Sequence, residues 1–243
     1  FMGRVGVDHF GQIFTEDLER KGIAANIAVT EGDSTGLVFV LIFPNGERFF
    51  IDDRGACAKL RYEDFDLNMI RESKYLFFAG YSFQDKDFPI HIQRLLREIG
   101  ADTRVVFNPG APNLARDFRE LFLEIARGYA SVLILNEAEA EHLTQCHSER
   151  AMIAELLSLA DVVALTKGSA GSVVATEQEV VHIKAEPVEV VDTTGAGDAY
   201  AGAFIYGLCR GWTARQAGEF ASRVAARVVS HLGARVDPSG LTR

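Results

Sequence analysis

Cysteine is scarce in these 243 residues. Cys57, Cys146 and Cys209 show no Cys-x-x-Cys spacing, and with six scattered histidines they make no zinc pattern. So sparse and odd a count fits a reducing compartment and argues against an oxidising one. Long apolar runs are also missing, which excludes a membrane-spanning helix, and no secretory leader is recognised. A cytoplasmic location is expected. Excess positive charge is lacking too: 34 acidic residues against 25 basic ones leave a net charge of −9. That balance argues against nucleic acid or an anionic membrane as the main partner. A small anionic ligand stays compatible, because a local site can oppose the global charge. No G-x-x-x-x-G-K-[ST] segment occurs, so phosphate is not bound by the P-loop design. Internal repeats and low-complexity tracts are absent.

What remains is an ordinary globular composition, 48% hydrophobic and 24% charged. The length suits one sizeable α/β domain with an ample core. The chain opens with FMGRVGVDHFG, which reads as the end of a strand followed by a loop. A domain rarely begins mid-strand, so a further segment upstream is expected. A short helix is expected from Thr15 to Lys21. Two apolar runs, TGLVFVLIF (35–43) and ERFFI (47–51), flank Pro44-Asn45-Gly46 and predict an antiparallel hairpin outside the main sheet.

From about residue 74 the rhythm changes. Strands are expected at 74–81, 104–108, 131–136 and 162–168, with helices at 88–100, 113–128, 137–143 and 148–160 between them. Such alternation implies βαβ crossovers and a mostly parallel sheet covered on both faces. A hairpin at 171–176 and 179–184, a last strand at 188–192 and two closing helices complete the expectation.

Three polar loops follow strand ends, where ligands bind in such sheets. The first is DTTGAGD, residues 192–198. Gly195 and Gly197 permit close approach of a ligand, and a helix starting near Ala196 offers free N–H groups to an anion. Asp198 then sits in the first turn as a candidate general base. The alternative is a plain glycine turn with an aspartate complementing the helix dipole. A dinucleotide fingerprint fails, because Tyr200 stands where the third glycine belongs. The second loop starts at Asn136. Asn136 and Glu139 have the spacing of a capping box, and equally that of a carboxylate holding Mg²⁺ through water with Asn136 facing a phosphate. The third, TKGSAG (166–171), is either a glycine-bearing hairpin entry or a loop whose Thr166 hydroxyl and Gly168 amide meet nucleotide phosphates. Three such loops on one sheet edge favour a common site.

DTTGAGDAYAGAF closely resembles the C-terminal signature of the ribokinase-like (PfkB-type) carbohydrate kinases. FMGRVGVDHFG looks like the family's G-x-V-G-x-D-x-x-G segment, and the PNGER hairpin resembles its β-lid. Asn136-Glu137-Ala138-Glu139 matches N-x-x-E, and residues 166–171 match T-x-G-x-x-G. The family's glycine-rich sugar-binding motif is not found.

The resemblance implies a three-layer α/β/α sandwich with a small β-lid. The kinase domain would comprise 1–34 and 52–243, and the lid hairpin 35–51. It implies transfer of the ATP γ-phosphoryl group to a sugar hydroxyl, with Asp198 as base and the Gly195, Ala196 and Gly197 amides as anion hole. Glu139 with Asn136 would organise Mg²⁺. Thr166, Gly168 and Gly171 would line the nucleotide phosphates, and Ser222 would lie beside adenine. Asp192, Thr194 and Gly233 occupy positions where some members bind a monovalent cation such as K⁺, although Asp192 shaping its loop is the simpler alternative. For the acceptor, Asn108 ends a strand at the productive edge and Arg54 follows the lid. Asp8 either faces the pocket or serves a turn. Lys59 and Arg61 read as solvated surface. A nucleoside kinase of the adenosine type and a non-catalytic nucleotide-binding scaffold are the alternatives. A homodimer through the lid is expected, because so apolar a hairpin would otherwise leave a sticky edge.

Overall fold

The computed structural model describes residues 1–43, 48–100 and 102–235. The chain divides into two compact units. One is formed by Phe1–Glu72 and Ser82–Gly100, the other by Ser73–Tyr81 and the chain beyond Gly100.

In the first unit, β1 (Met2–Gly6) pairs parallel to β2 (Asn26–Thr30) through the crossover helix α1 (His9–Arg20). The helix is longer than the expected Thr15–Lys21. Asp8 caps it, accepting from the Gly11 amide at 2.8 Å, so it starts two turns earlier. Gly11, which reads as a loop residue, is required inside the helix. A Cβ there would lie 2.6 Å from the Gly6 carbonyl oxygen. The strand β2 was not expected from the sequence. The hairpin is present as β3 (Leu37–Ile42) antiparallel to β4 (Arg48–Asp53), a two-stranded sheet of its own. Its Pro44-Asn45-Gly46 turn lies outside the described residues. Helices α2 (Leu67–Arg71) and α3 (Phe88–Glu98) complete this unit.

The second unit is built on a six-stranded mixed sheet. Its strands are β5 (Tyr75–Ala79), β6 (Arg104–Asn108), β7 (Ala130–Asn136), β8 (Val162–Thr166), β9 (Ser172–Thr176) and β10 (Val180–Ile183), in the order β10-β9-β8-β7-β6-β5. Strands β5 to β8 run parallel, and β9 and β10 are antiparallel additions. The expected 171–184 hairpin is therefore present. Alternate side chains go to opposite faces. Val106, Val132 and Ile134 join a core with α8 (Ala196–Cys209) and α9 (Ala214–Val229). Phe107 points the other way and meets Phe122 of α5 (Arg119–Tyr129) edge-on, with ring centroids 5.0 Å apart. Both faces are thus covered, as near-continuous apolar strands require. Each fully buried Phe or Leu contributes roughly 1.5–3 kcal/mol to holding these layers together.

Two expectations need correction here. The helix expected over 113–128 is two helices, α4 (Pro112–Asp117) and α5, broken at Phe118 with φ −109° and ψ 20°. Phe118 leaves the helical register while its ring stacks on Phe122. The expected strand 188–192 is irregular chain. Its valines Val188, Val190 and Val191 are exposed, and the Val191 and Asp192 amides donate to the Val229 carbonyl at the end of α9. Helices α6 (Glu137–Thr144) and α7 (Glu149–Leu157) fall where expected.

Candidate phosphotransfer site

The carboxyl ends of β5 to β8 and the start of α8 carry the polar loops singled out by the sequence. Gly195 is the N-cap of α8 in the left-handed region, φ 76°, a conformation that favours glycine. A Cβ there would also lie 2.6 Å from the Ala234 Cβ. The first intrahelical bond runs from the Ala199 amide to the Gly195 carbonyl at 2.8 Å. The Gly197 and Asp198 amides therefore lie in the first turn with no carbonyl inside the helix to receive them. Ala196 departs from the anion-hole expectation. Its amide is turned back on the Thr193 carbonyl at 3.3 Å, so it is the least available of the three amides.

Asp198 is solvent-accessible, yet desolvation by the surrounding protein lifts its carboxyl above the usual aspartate value. Asp192 differs. Its side chain is buried, and its two oxygens accept from the Thr194 amide and the Gly233 amide, both at 2.9 Å. These bonds join Asp192, Thr194 and Gly233 in one clamp that shapes the loop.

Asn136 ends β7 and caps α6. The Glu139 amide donates to Asn136 Oδ1 at 2.9 Å. The Asn136 amide donates to Glu139 Oε2 at 2.9 Å, and Asn136 Nδ2 to Glu139 Oε1 at 2.7 Å. The capping box is thus complete. Glu139 is only 4% exposed, and burial pushes its carboxyl up to about 7, opposed by the Asn136 backbone hydrogen bond. A cap alone does not need so deeply buried a carboxyl group.

Thr166 ends β8 and donates its hydroxyl to the Leu135 carbonyl at 3.4 Å. Gly168 and Gly171 take φ 56° and 92°. At Gly171 a Cβ would fall 2.0 Å from the Ile183 carbonyl oxygen, so no other residue fits that turn. Thr166, Gly168, Gly171, Ala196, Gly197 and Ser222 line one cavity of about 460 Å³, with Val188, Ala225 and Val229 supplying an apolar wall. Ser222 donates to the Lys184 carbonyl at 3.3 Å.

The acceptor candidates are placed as follows. Asn108 ends β6, and its Oδ1 accepts from the Gly110 amide at 2.6 Å. Asp8 and Arg54 belong to the other unit and have local partners. Besides capping α1, Asp8 accepts from the Thr35 amide at 2.6 Å and the Thr35 hydroxyl at 2.7 Å; the hydroxyl bond is the first cause holding its carboxyl low. Arg54 pairs with the buried Asp85 through two nitrogens, at 2.6 and 3.2 Å.

Sequence reasoning missed Tyr81, the second residue past β5. Its phenol pKa is raised first by burial, then by the charges of Asp198 and Glu139, so it lies within electrostatic reach of both carboxylates. The available signal was an aromatic residue directly after a strand's carboxyl end. Among the described residues, no group of three or more His, Cys, Asp or Glu side chains is arranged to hold a metal ion, and no helix is long and apolar enough to cross a membrane.

The family model for pfkB family carbohydrate kinases matches residues 1–239. An uncharacterized sugar kinase of Archaeoglobus fulgidus is 26% identical over 236 residues, covering 97% of this chain and 92% of that protein. The crystal structure of adenosine kinase from Sinorhizobium meliloti superposes with a TM-score of 0.91 at 28% identity, covering 96% of this chain and 73% of that one. A putative Ribokinase II from E. coli, in complex with ATP and Mg²⁺, gives 0.88 at 26% identity, covering 96% and 77%. The chain belongs to the PfkB family of carbohydrate kinases. Its fold is the ribokinase-like mixed sheet flanked by helices, with a small antiparallel sheet, and it is a phosphotransferase acting on hydroxyl groups.

Proposed function

We propose that this chain transfers the γ-phosphoryl group of ATP to a hydroxyl of a sugar or sugar-like substrate, with Asp198 as general base. One observation carries the reading. An accessible carboxylate with a raised pKa stands in the first turn of a helix whose adjoining Gly197 lines a glycine-edged cavity. In its ionised form Asp198 takes the acceptor proton as the hydroxyl oxygen attacks. The Gly195 and Gly197 amides, at the positive end of α8, stabilise the phosphoryl group in transit, and Ala196 joins them if its weak bond to Thr193 is released. Thr166, Gly168 and Gly171 border the nucleotide phosphates, and Ser222 with the apolar wall borders the base.

Glu139 fits a role beside Mg²⁺. It is a single buried carboxyl group held near neutrality, and Mg²⁺ in such sites is shared between one or two carboxylates and substrate phosphates. When bound, the ion would neutralise phosphate charge. Asn136 holds Glu139 in place for that purpose through three hydrogen bonds. For the acceptor, Asn108 at the carboxyl end of β6 is the expected contact that belongs to the same unit as Asp198; its Oδ1 is tied to the Gly110 amide, so its side-chain NH2 group would meet the substrate. A nucleoside acceptor is the second reading, supported by the similarity to adenosine kinase.

We further propose a homodimer through the hairpin. Phe39, Leu41, Phe49 and Ile51 are exposed on one of its faces and Val38 and Phe50 on the other, more apolar surface than an isolated hairpin carries.

The test is ADP release from ATP with D-ribose, D-fructose and adenosine as acceptors. The wild type turns over with one of them, and Asp198→Asn loses about 10²- to 10⁴-fold in kcat. Because the Asp198 carboxyl is raised, kcat increases with pH through a midpoint above the usual aspartate value. Undiminished turnover in the variant would remove Asp198 from the mechanism. ATP binding without turnover on any acceptor would favour a scaffold.

A further inference from the structure

The cavity that takes the nucleotide in the phosphotransfer reading is bordered by two stretches of chain. One is the 166–171 turn, with Thr166, Gly168 and Gly171. The other follows β10 and includes Ala185, Pro187 and Val188. They meet at Gly171, where an added Cβ would lie 2.0 Å from the Ile183 carbonyl oxygen and 2.7 Å from the Ala185 amide nitrogen. The sheet holds the two stretches only up to this point. Its last pairs here are Thr166 with Ser172 and Ser172 with Ile183. Beyond them the turn closes on itself, the Lys167 amide donating to the Gly171 carbonyl at 2.8 Å. The next residue of the other stretch, Lys184, is held instead by Ser222 of α9.

Glu149, the first residue of α7, bridges the two at the end of the ladder. One carboxylate oxygen accepts from Lys167 Nζ, inside the turn, and the other from His182 Nε2, on β10, at 2.6 Å. An ionised carboxylate only accepts, so Nε2 carries the hydrogen of that bond. Lys167 first and His182 second hold the Glu149 carboxyl below the usual glutamate range. The Lys167 and Glu149 side chains are mostly shielded, 23% and 28% exposed, and Lys167 Nζ also lies 3.5 Å from a Glu137 oxygen. An acid in a first helical turn is favoured by the helix dipole alone. This one also gathers an ammonium from the turn and a ring from β10, while lying outside the cavity lining itself.

We propose that Glu149 is a positioning residue for the nucleotide: through Lys167 and His182 it fixes the spacing of the two stretches that border the cavity. This rests on the phosphotransfer reading of the same site. The brace acts on nucleotide affinity and leaves the chemical step at Asp198 unchanged.

The test is calorimetry with MgADP on the wild type, Glu149→Ala, Lys167→Met and the double variant. Arg215→Met is the control, because its exposed pair with Glu179 ties α9 to the turn end of the same β9–β10 hairpin, away from the cavity. Glu149→Ala should weaken MgADP by about 3- to 10-fold, the size expected of a small, partly shielded charge network. Lys167→Met should lose a similar factor, and Arg215→Met should bind as the wild type does. In the Glu149→Ala background, Lys167→Met should cost little more, because the two residues act through one bond. With whichever of D-ribose, D-fructose and adenosine is turned over, the loss should appear in the KM for ATP, with kcat within about twofold of the wild type. If Lys167→Met costs the same with and without Glu149, the lysine acts on the phosphates by its own charge and the brace is refuted. If Glu149→Ala binds MgADP as tightly as the wild type, or loses kcat and not KM, the proposal also falls and the phosphotransfer reading stands. If the wild type binds no MgADP, that reading falls and this proposal with it.

Discussion

Replacing Glu139 by glutamine keeps the shape of the side chain and removes its charge. In the folded protein this carboxyl group titrates at about 7, against 4.5 for an ordinary glutamate. The unfolded chain therefore releases the proton near pH 4.5 and the folded chain only near 7. Between those values the folded state holds more protons, so stability falls as pH rises through the window. At about 1.36 kcal/mol per pKa unit, the penalty grows by roughly 2–3 kcal/mol between pH 5 and pH 8. Glutamine carries no such penalty. It does lose part of the capping box, because its amide nitrogen faces one of the Asn136 donors, at a cost of about 1–2 kcal/mol at either pH. Glu139→Gln should thus be less stable than the wild type at pH 5 and equal or more stable at pH 8. The difference between the two comparisons is roughly 5–10 °C in unfolding midpoint for a domain of this size. The assay is thermal unfolding of both proteins at both pH values, with EDTA present so that no cation changes the balance. An equal midpoint difference at the two pH values would mean that Glu139 titrates as an ordinary surface glutamate, and the argument from burial would fail.

Gly171→Ala should destabilise the fold by at least about 2 kcal/mol, because the new Cβ meets the Ile183 carbonyl and the φ is positive; chemical denaturation reads this, and an unchanged midpoint would contradict the turn geometry. Asp85→Ala strands the Arg54 guanidinium, which keeps some access to water, so a loss of about 2–4 kcal/mol is expected; a change under about 0.5 kcal/mol would mark the pair as solvent-screened. Phe49→Ser with Ile51→Ser removes apolar surface from one face of the hairpin; sedimentation should show the wild type as a dimer and the double variant as a monomer, and a monomeric wild type at micromolar concentration would refute the lid interface.

The strands β6 and β7 and the cap of α6 were legible because they obey local rules: apolar runs ending at Asn108 and Asn136, the latter three residues before a glutamate. The stretch 188–192 obeyed the same rules and misled. A β-branched run specifies a strand only when a neighbouring strand offers a pleated surface to pack on, and this one lies along the end of α9 instead. Helix α1 was under-read for the converse reason. Gly11 suggests a loop, and its purpose, close approach to β1, exists only in three dimensions. In the site, glycine spacing pointed to the nest at 195–197 and the turn at 168–171. It gave no sign that Ala196 would turn back on Thr193, nor that Tyr81, more than a hundred residues from Asp198, would share its electrostatic field. Contacts of that separation are set by the order of strands in the sheet, which no local window contains.

The buried carboxylate of Asp192 joins amides that are far apart along the chain. Gly233 is 41 residues from it in sequence, while Thr194 is its near neighbour. Between these two attachments runs the whole α8–α9 hairpin, so one carboxylate closes that length of chain into a ring. Gly195, seated against Ala234, tightens the closure from the other side. The turn after α9 and the start of α8 are consequently tied together at Asp192 and at Gly195. In the proposed mechanism a substitution in that turn would reach the 195–197 amides through a few atoms, and so would alter turnover without replacing any residue assigned a part in it.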